Sequence, residues 1–390
     1  GEDGTRLKVL WVNDLVELQP FEGASNRTAT VVLEKGEPTE YPLGYVLWRK
    51  AKPGRIGVDL SLKEVEERSR KIPLSARPVN PSEPSSPWLT VSPAALAALQ
   101  KVVGPSAYRA YAGSYTGGLN GVYWLRVLER QPDGLLLVEN LHDVGKTKVK
   151  RVEALLEPHL VYPLLRGRDI FRWKGRPSAH ILVVQDPVKR TGYEESWLKV
   201  NYPHTYGYLK QFEVALRSER RSQAVRDLME KGAFYSMYAV AEYTFAPYKV
   251  VWREQATALT AAVAAGEEKP EVPDHKLMLV PCSTEDEAFY LAAALNSAAP
   301  RLVVASYVVA IGISTHVLEH VDIPKFDPSN ALHESLASLS RRAHQLAARG
   351  KGGDAQLRQV EEEIDQQAAE LWGITEGELE EIRRALAELG

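Results

Sequence analysis

Residues 73–87 constrain the fold most, because five prolines in fifteen positions deny that stretch both a helix and an ordinary sheet ladder. The rest of it is largely Ser, Asn and Glu with no apolar period, which is the composition of a linker. The chain therefore divides. What precedes the break is too short for a nucleotide-binding fold and is expected to be the truncated end of a larger domain. The division expected is 1–50 as that end, 51–87 as linker, 88–330 as a mixed domain and 331–390 as a helical segment.

Strand and helix signals alternate along the chain, so the fold class expected is α/β, of the mixed α+β kind. Before the linker, 7–12, 29–33 and 45–48 read as strands. The run Ala29-Thr30-Val31-Val32-Leu33, closed by Lys35-Gly36-Glu37-Pro38, reads as a buried one. Beyond it, 93–103 has a helical period ending at Gly104-Pro105, and a loop rich in Gly and Tyr fills 108–121. Strand 122–128 is expected to return through Gln131-Pro132-Asp133-Gly134 as a hairpin. Strands are also expected at 180–185, 248–252 and 276–281, a helix at about 206–229, and a mobile loop or insertion at 256–273. Thr284 with Glu287, and Thr375 with Glu378, form capping boxes. Leu332, Leu336, Leu339, Ala343 and Leu346 recur at helical spacing, as do Leu357, Val360, Ile364, Ala368 and Leu371.

Composition narrows the functional classes. With 44% hydrophobic and 25% charged residues the chain can bury a sizeable core, and it has no apolar run of membrane-spanning length. A cytoplasmic location is expected, and no membrane partner. Cys282, the sole cysteine, excludes an internal disulfide and reads as core rather than nucleophile. A net charge of −3 argues against generic polyanion binding, so contact with nucleic acid has to come from a local patch. Such a patch is visible: 146–176 carries nine Lys or Arg against three acids, whereas 354–390 carries eleven acids against three bases.

Lys146, Lys148 and Lys150 alternate around an expected strand, which would aim them at one side like a row of phosphate contacts, with Arg151 beside them. Arg166, Arg168, Arg172 and Lys174 follow. An arginine can grip guanine and Asn120 can pair with adenine, while Arg168 and Asp169 form an internal salt bridge in the alternative reading. The 206–229 helix shows a second basic face, Lys210, Arg217, Arg220, Arg221 and Arg226, shared with acids and better read as solvated surface. His316-Val317-Leu318-Glu319-His320 fits a zinc-peptidase pattern, but Gly312 and Pro324 confine its helix to about two turns, and no metal site is expected.

Four phrases in order, DLVELQPF at 14–21, YPLLRGRDI at 162–170, FAPYKVVW at 245–252, and Leu295-Asn296-Ser297 followed by Ile313-Ser314 and Ile323-Pro324-Lys325-Phe326, give the chain its affinity. At these residues it resembles the gamma-class adenine-specific DNA methyltransferases of bacterial restriction-modification and phage-defence systems. The resemblance implies that Phe21, followed by the small polar turn 23–27, stacks on an adenine flipped out of the duplex. It makes 1–50 the end of the catalytic domain and 88–330 a target-recognition domain, and turns the 108–121 loop, with Tyr115, Thr116 and Asn120, toward DNA. The family's Gly-rich loop for S-adenosylmethionine and its Asn-Pro-Pro-Tyr-type tetrapeptide are missing from these residues. Asn201-Tyr202-Pro203-His204 is a superficial echo. The expected function is thus the DNA-recognition half of an adenine-N6 methyltransferase, inactive alone. Its expected partners are double-stranded DNA and a catalytic domain, or separate methyltransferase chain, that binds the donor. The alternative is a non-enzymatic specificity subunit guiding a methyltransferase or nuclease.

Overall fold

A computed structural model describes residues 6–21, 28–54, 56–57, 59–220, 222–307 and 312–389. The architecture is mixed α/β, three main sheets each with helices packed on it. Strands β1 (Leu7–Asp14), β2 (Ala29–Lys35), β3 (Leu43–Lys50), β4 (Ser69–Pro78) and β5 (Trp88–Val91) form the first sheet, in the order β2-β1-β3-β4-β5. Only β1 and β3 run parallel. Helix α1 (Leu62–Arg68), held by a complete Ser61–Glu64 capping box, leads into β4. The stretch expected as linker thus supplies a helix and a strand. Pro73 and Pro78 sit within β4, and the free turn is confined to about 79–87. Proline was the misleading signal, since its fixed φ is compatible with an extended strand.

After α2 (Pro93–Leu99), capped by Ser92 and one turn shorter than its period suggested, the chain passes β6 (Tyr111–Ala112) and the single turn α3 (Asn120–Tyr123). Strands β7 (Trp124–Arg130), β8 (Leu136–Asn140), β9 (Glu153–Leu156) and β10 (Val161–Leu165) then begin the second sheet. β7 and β8 make the expected hairpin, turning at Gly134 with φ +89°. The ribbon β11 (Ile170–Phe171) and β12 (Lys174–Gly175) projects from it before β13 (Ala179–Leu182) inserts between β10 and β7.

A second ribbon, β14 (Gln185–Asp186) with β15 (Thr191–Gly192), leads to α4 (Glu195–Asn201), α5 (Pro203–Lys210), α6 (Glu213–Ser218) and α7 (Gln223–Lys231). The single helix expected over 206–229 is therefore broken into pieces. Leu198, Tyr208, Leu209, Phe212, Leu216 and Val225 all turn inward, the first five onto the core of the second sheet.

The third sheet, β17-β16-β19-β6, comes from β16 (Tyr248–Arg253), β17 (Ala261–Ala265) and β19 (Leu277–Cys282), while β18 (Val272–Pro273) pairs with β10 in the second. The stretch expected to be a mobile loop thus supplies two strands, β17 and β18, and four of the five residues in β17 are buried. Helix α8 (Glu285–Asn296) lies against this sheet and α11 (Ala331–Ala348) reaches its β17 edge through His344, while α9 (Ala298–Tyr307) packs on β5, α13 (Glu376–Leu389) on α9 and α2, and the one-turn α10 (Val317–His320) and α12 (Asp354–Leu371) complete the same core. Thr284 caps α8 by accepting from Glu287 N–H, and the Glu287 carboxylate accepts from Ser283 N–H at 2.7 Å. Three acids in that first turn complement the helix dipole.

The largest core joins α8, α9 and the C-terminal helices to β5, α2 and the third sheet. Trp252 lies at its centre, fully buried, its indole N–H donating to the Ile313 carbonyl at 3.0 Å. Each such aliphatic or aromatic side chain stabilises the fold by about 1.5–3 kcal/mol when removed from water. Among the described residues no single helix is long and apolar enough to cross a membrane. In the first sheet β5 joins the largest core, while β1, β3 and β4 carry two small clusters, around Trp48 and Val12.

Candidate nucleic-acid interface

Two loops meet at one edge of the second sheet, and a buried amide joins them. Asn140, at the end of β8, donates through Nδ2 to the carbonyls of Gly121 at 2.8 Å and Lys150 at 3.0 Å, and its Oδ1 accepts from Val152 N–H at 2.7 Å. Gly121 is required here, since a Cβ would lie 2.9 Å from Val149 Cγ2. The first loop is clamped further back: Gly113 N–H donates to Leu277, Ser114 N–H to Pro273, and Tyr115 exchanges backbone bonds with Tyr238. A Cβ at Gly113 would fall 2.2 Å from the Asp274 carbonyl.

Beyond that clamp Gly117 and Gly118, both at positive φ, turn the chain so that Thr116 donates to Asn120 Oδ1 at 2.5 Å. Thr116 is buried and Asn120 half-buried. Tyr115 is half-buried, its ring 4.8 Å from that of His275. Burial pushes the neighbouring Asp274 carboxyl up to about 6.

Lys146, Lys148 and Lys150 are all exposed on the second loop, which approaches Asn120 at Gly145. They are not on a strand. Gly145 turns the chain at φ +83°, and Asn140 takes the Lys150 carbonyl and Val152 N–H that a ladder would have used. The alternation survives in this extended loop, with Thr147 and Val149 less exposed than the lysines. Lys148 Nζ bonds the Asp143 carbonyl, Lys150 Nζ lies 5.5 Å from the Phe212 ring, and Lys146 has no ion partner among the described residues.

The remaining basic residues do not join this face as a row. Arg151 is paired with Glu139 at 3.2 Å and Glu153 at 3.0 Å. Arg166 is buried and is the true partner of Asp169, its N–H donating at 2.9 Å and its Nε lying 3.5 Å away, while Arg168 is exposed. Arg172 turns inward, bonding Glu361 at 2.8 Å and the Asn296 carbonyl at 2.8 Å, and desolvation pushes its pKa down to about 10. With the Trp173 indole, which donates to Glu361 at 2.7 Å, it staples the β11–β12 ribbon to α12. Lys174 is exposed on that ribbon.

The basic helix face is also dissolved. Arg220 is buried, donating to the Ser236 carbonyl and the Tyr123 hydroxyl, and its Cδ would lie 3.1 Å from a Cβ at Gly117. Lys210 and Arg217 pair with Glu213, Arg226 donates to the Arg220 carbonyl at 3.0 Å, and Arg221 lies outside the described residues. Phe21 is 62% exposed. The turn 23–27 expected beside it also lies outside the described residues. His316 Nδ1 is 2.8 Å from Glu319, whereas the His320 ring packs edge-on against Tyr307, so the two imidazoles have different partners.

Of the two residues that organise the interface, Asn140 is not singled out by the sequence, and Arg220 reads there as part of a solvated basic face although it is buried. Neither stands in a motif, and only the meeting of distant loops makes them structural.

No family model matches the chain, and no curated protein matches its sequence. Among solved structures, the type IIL restriction-modification enzyme MmeI in complex with DNA is similar with a TM-score of 0.51 and 8% identity, over 98% of this chain and 46% of that one. At that identity the likeness is one of fold. The type IIG restriction endonuclease BpuSI is matched with a TM-score of 0.33 and 12% identity, over 94% of this chain and 44% of that one. The chain therefore spans less than half the length of either.

Proposed function

We propose that this chain is the DNA-recognition half of an S-adenosylmethionine-dependent adenine-N6 methyltransferase of a restriction-modification or phage-defence system. The observation that carries the reading is the joined pair of loops, which brings Asn120 against Gly145 on the loop that carries three exposed lysines, over a base fixed by buried Asn140. Lysines at such an edge neutralise phosphates, and an amide beside them can read adenine N6 and N7. Thr116 orients that amide and leaves Oδ1 a second lone pair for a base. The fold shared with an enzyme solved on DNA supports the same reading. Arg168 and Lys174 extend the contact on the β11–β12 side, and the exposed Phe21 ring stacks on the extruded adenine. Donor binding and the catalytic tetrapeptide are supplied by sequence outside these 390 residues.

The test is duplex binding across a salt series with a random-sequence pool. The expected result is enrichment of a short motif containing adenine. Changing Lys146, Lys148 and Lys150 to Ala should weaken binding to every duplex and reduce the slope of log K against log salt by about 2.7, about 0.9 for each phosphate contact. An unchanged slope places the binding face elsewhere. Methyl transfer by this chain alone, given the donor, overturns the assignment of catalysis to another segment.

A further inference from the structure

A run of aromatic rings crosses the surface of α4, outside the lysine loop. Tyr193 and Trp197 have centroids 4.6 Å apart with planes tilted by 33°, Trp197 and Tyr202 follow at 5.6 Å, and His159 continues the line at 6.0 Å. Tyr193 and Tyr202 lean on the core of the second sheet, but Trp197 between them does not. Leu198 supplies the fully buried anchor of α4, while Trp197 is 41% exposed and Val200 79% exposed on the outer side. A cleft of about 650 Å³, room for a nucleotide, opens beside the Tyr193–Trp197 pair, with Lys189 and Lys231 on its walls.

The electrostatics of the cleft are set by which charges are already engaged. Asp186 Oδ1 accepts from the backbone N–H groups of Val188 and Lys189, at 2.9 Å each. Glu195 faces the Tyr206 hydroxyl at 3.4 Å and Arg217 at 3.8 Å, and Glu194 lies 4.0 Å from Lys189. Lys199 and Lys231 have no ion partner among the described residues, and of the three acids on the cleft wall Glu194 and Glu195 face Lys189 and Arg217, so two free lysines stand along the rings against the one carboxylate, Asp186, that has no basic partner. Exposed rings flanked by free lysines bind single-stranded nucleic acid without sequence preference, because every base offers a stacking face.

The ring run is also tied to the lysine loop. Tyr193 is held through its carbonyl by the Tyr235 hydroxyl at 2.7 Å, and Gly192 N–H donates to Ser236 Oγ at 3.1 Å. The Ser236 carbonyl accepts from Arg220, the residue that backs the Gly117 turn.

We infer that the Tyr193–Trp197–Tyr202 run and its cleft hold unpaired bases of a single DNA strand, Lys199 and Lys231 taking its phosphates. The inference rests on the reading of the chain as a DNA-binding protein and adds to it a second, strand-selective subsite. It is tested with the full chain and two fluorescently labelled probes, a twelve-nucleotide oligothymidylate and a random duplex of equal length, read by anisotropy. Trp197→Ala should weaken oligothymidylate binding about 10- to 100-fold and leave duplex binding within about twofold, with Trp197→Phe restoring most of the loss. Equal oligothymidylate affinity in Trp197→Ala overturns the inference, as does a wild-type chain that binds duplex but not the single strand. The triple lysine variant separates the two readings. If it binds duplex as the wild type does while the Trp197 effect persists, the lysine-loop reading fails and the ring run stands. Failure of the wild type to bind either probe overturns both.

Discussion

Two short edge strands, β2 and β17, contrast in a way that sequence alone misjudges. β2 contains Val31, Val32 and Leu33, strong strand formers expected to be buried, yet every one of its seven residues is exposed. β17 is Ala261-Ala262-Val263-Ala264-Ala265, weak in strand propensity and expected to be part of a mobile loop, yet it is almost wholly buried. Both lie at the end of a sheet. The difference is what meets the open edge. Along β17, Asn296 Oδ1 accepts from Ala261 N–H and its Nδ2 donates back to Ala261 O, at 2.8 Å each, Trp173 N–H donates to the same carbonyl at 3.1 Å, and His344 Nε2 accepts from Val263 N–H at 3.0 Å. Alanine is what allows α8 and the β11–β12 ribbon to come so close. No strand pairs with the outer edge of β2 among the described residues, so its apolar side chains remain in water. Burial of a strand is decided by what covers it.

The contrast can be broken in several places. The largest effect belongs to Ala262→Asp, which buries an unpaired carboxylate; chemical denaturation should show a loss of about 4 kcal/mol or a chain that does not fold. Asn296→Ala, which orphans the Ala261 N–H and removes one of the two donors to its carbonyl, should cost about 2–3 kcal/mol in the same measurement. His344 links the edge of β17 to pH. Its Nε2 accepts from Val263 and Nδ1 bonds the Ser340 carbonyl, so the imidazole is neutral, and burial pushes its pKa down to about 4.

Because the folded pKa lies below the unfolded value of about 6.5, the unfolded chain takes up the proton first as pH falls. The His344 contribution is complete above pH 6.5 and is lost progressively toward pH 4. Glu271, raised by burial to about 7, acts in the opposite sense over pH 4.5–7, so the comparison is with His344→Phe. The stability difference between wild type and that variant should shrink by about 2 kcal/mol from pH 7 to pH 4.5. A constant difference would show that the imidazole does not titrate alone. The smallest effect is Val32→Asp in β2, expected below about 1 kcal/mol. A cost matching Ala262→Asp would mean that β2 is covered in solution.

Much of the fold was legible where local and global preferences agree. The three C-terminal helices, the Thr284 cap and the Gly134 hairpin follow from spacing and turn chemistry. The site was legible only in part. The lysine triplet is exposed as its alternation implied, but its neighbours in sequence, Arg166 and Arg172, turn to Asp169 and Glu361 instead. A run of like charges records composition, whereas the partner of each charge is set by acids as far away as α12.

By itself the sequence determined the mixed α/β class, the capped helices and the local excess of positive charge, because these depend on residues within a turn or two of one another. The tertiary structure alone decided that Asn140 joins the loops of residues 113–121 and 141–152, that Arg220 backs the Gly117 turn, and that β17 rather than β2 is buried. Each of those outcomes needs a hydrogen-bond partner or a covering surface brought from far along the chain. An edge strand, a buried amide and a guanidinium all acquire their roles only when that partner arrives.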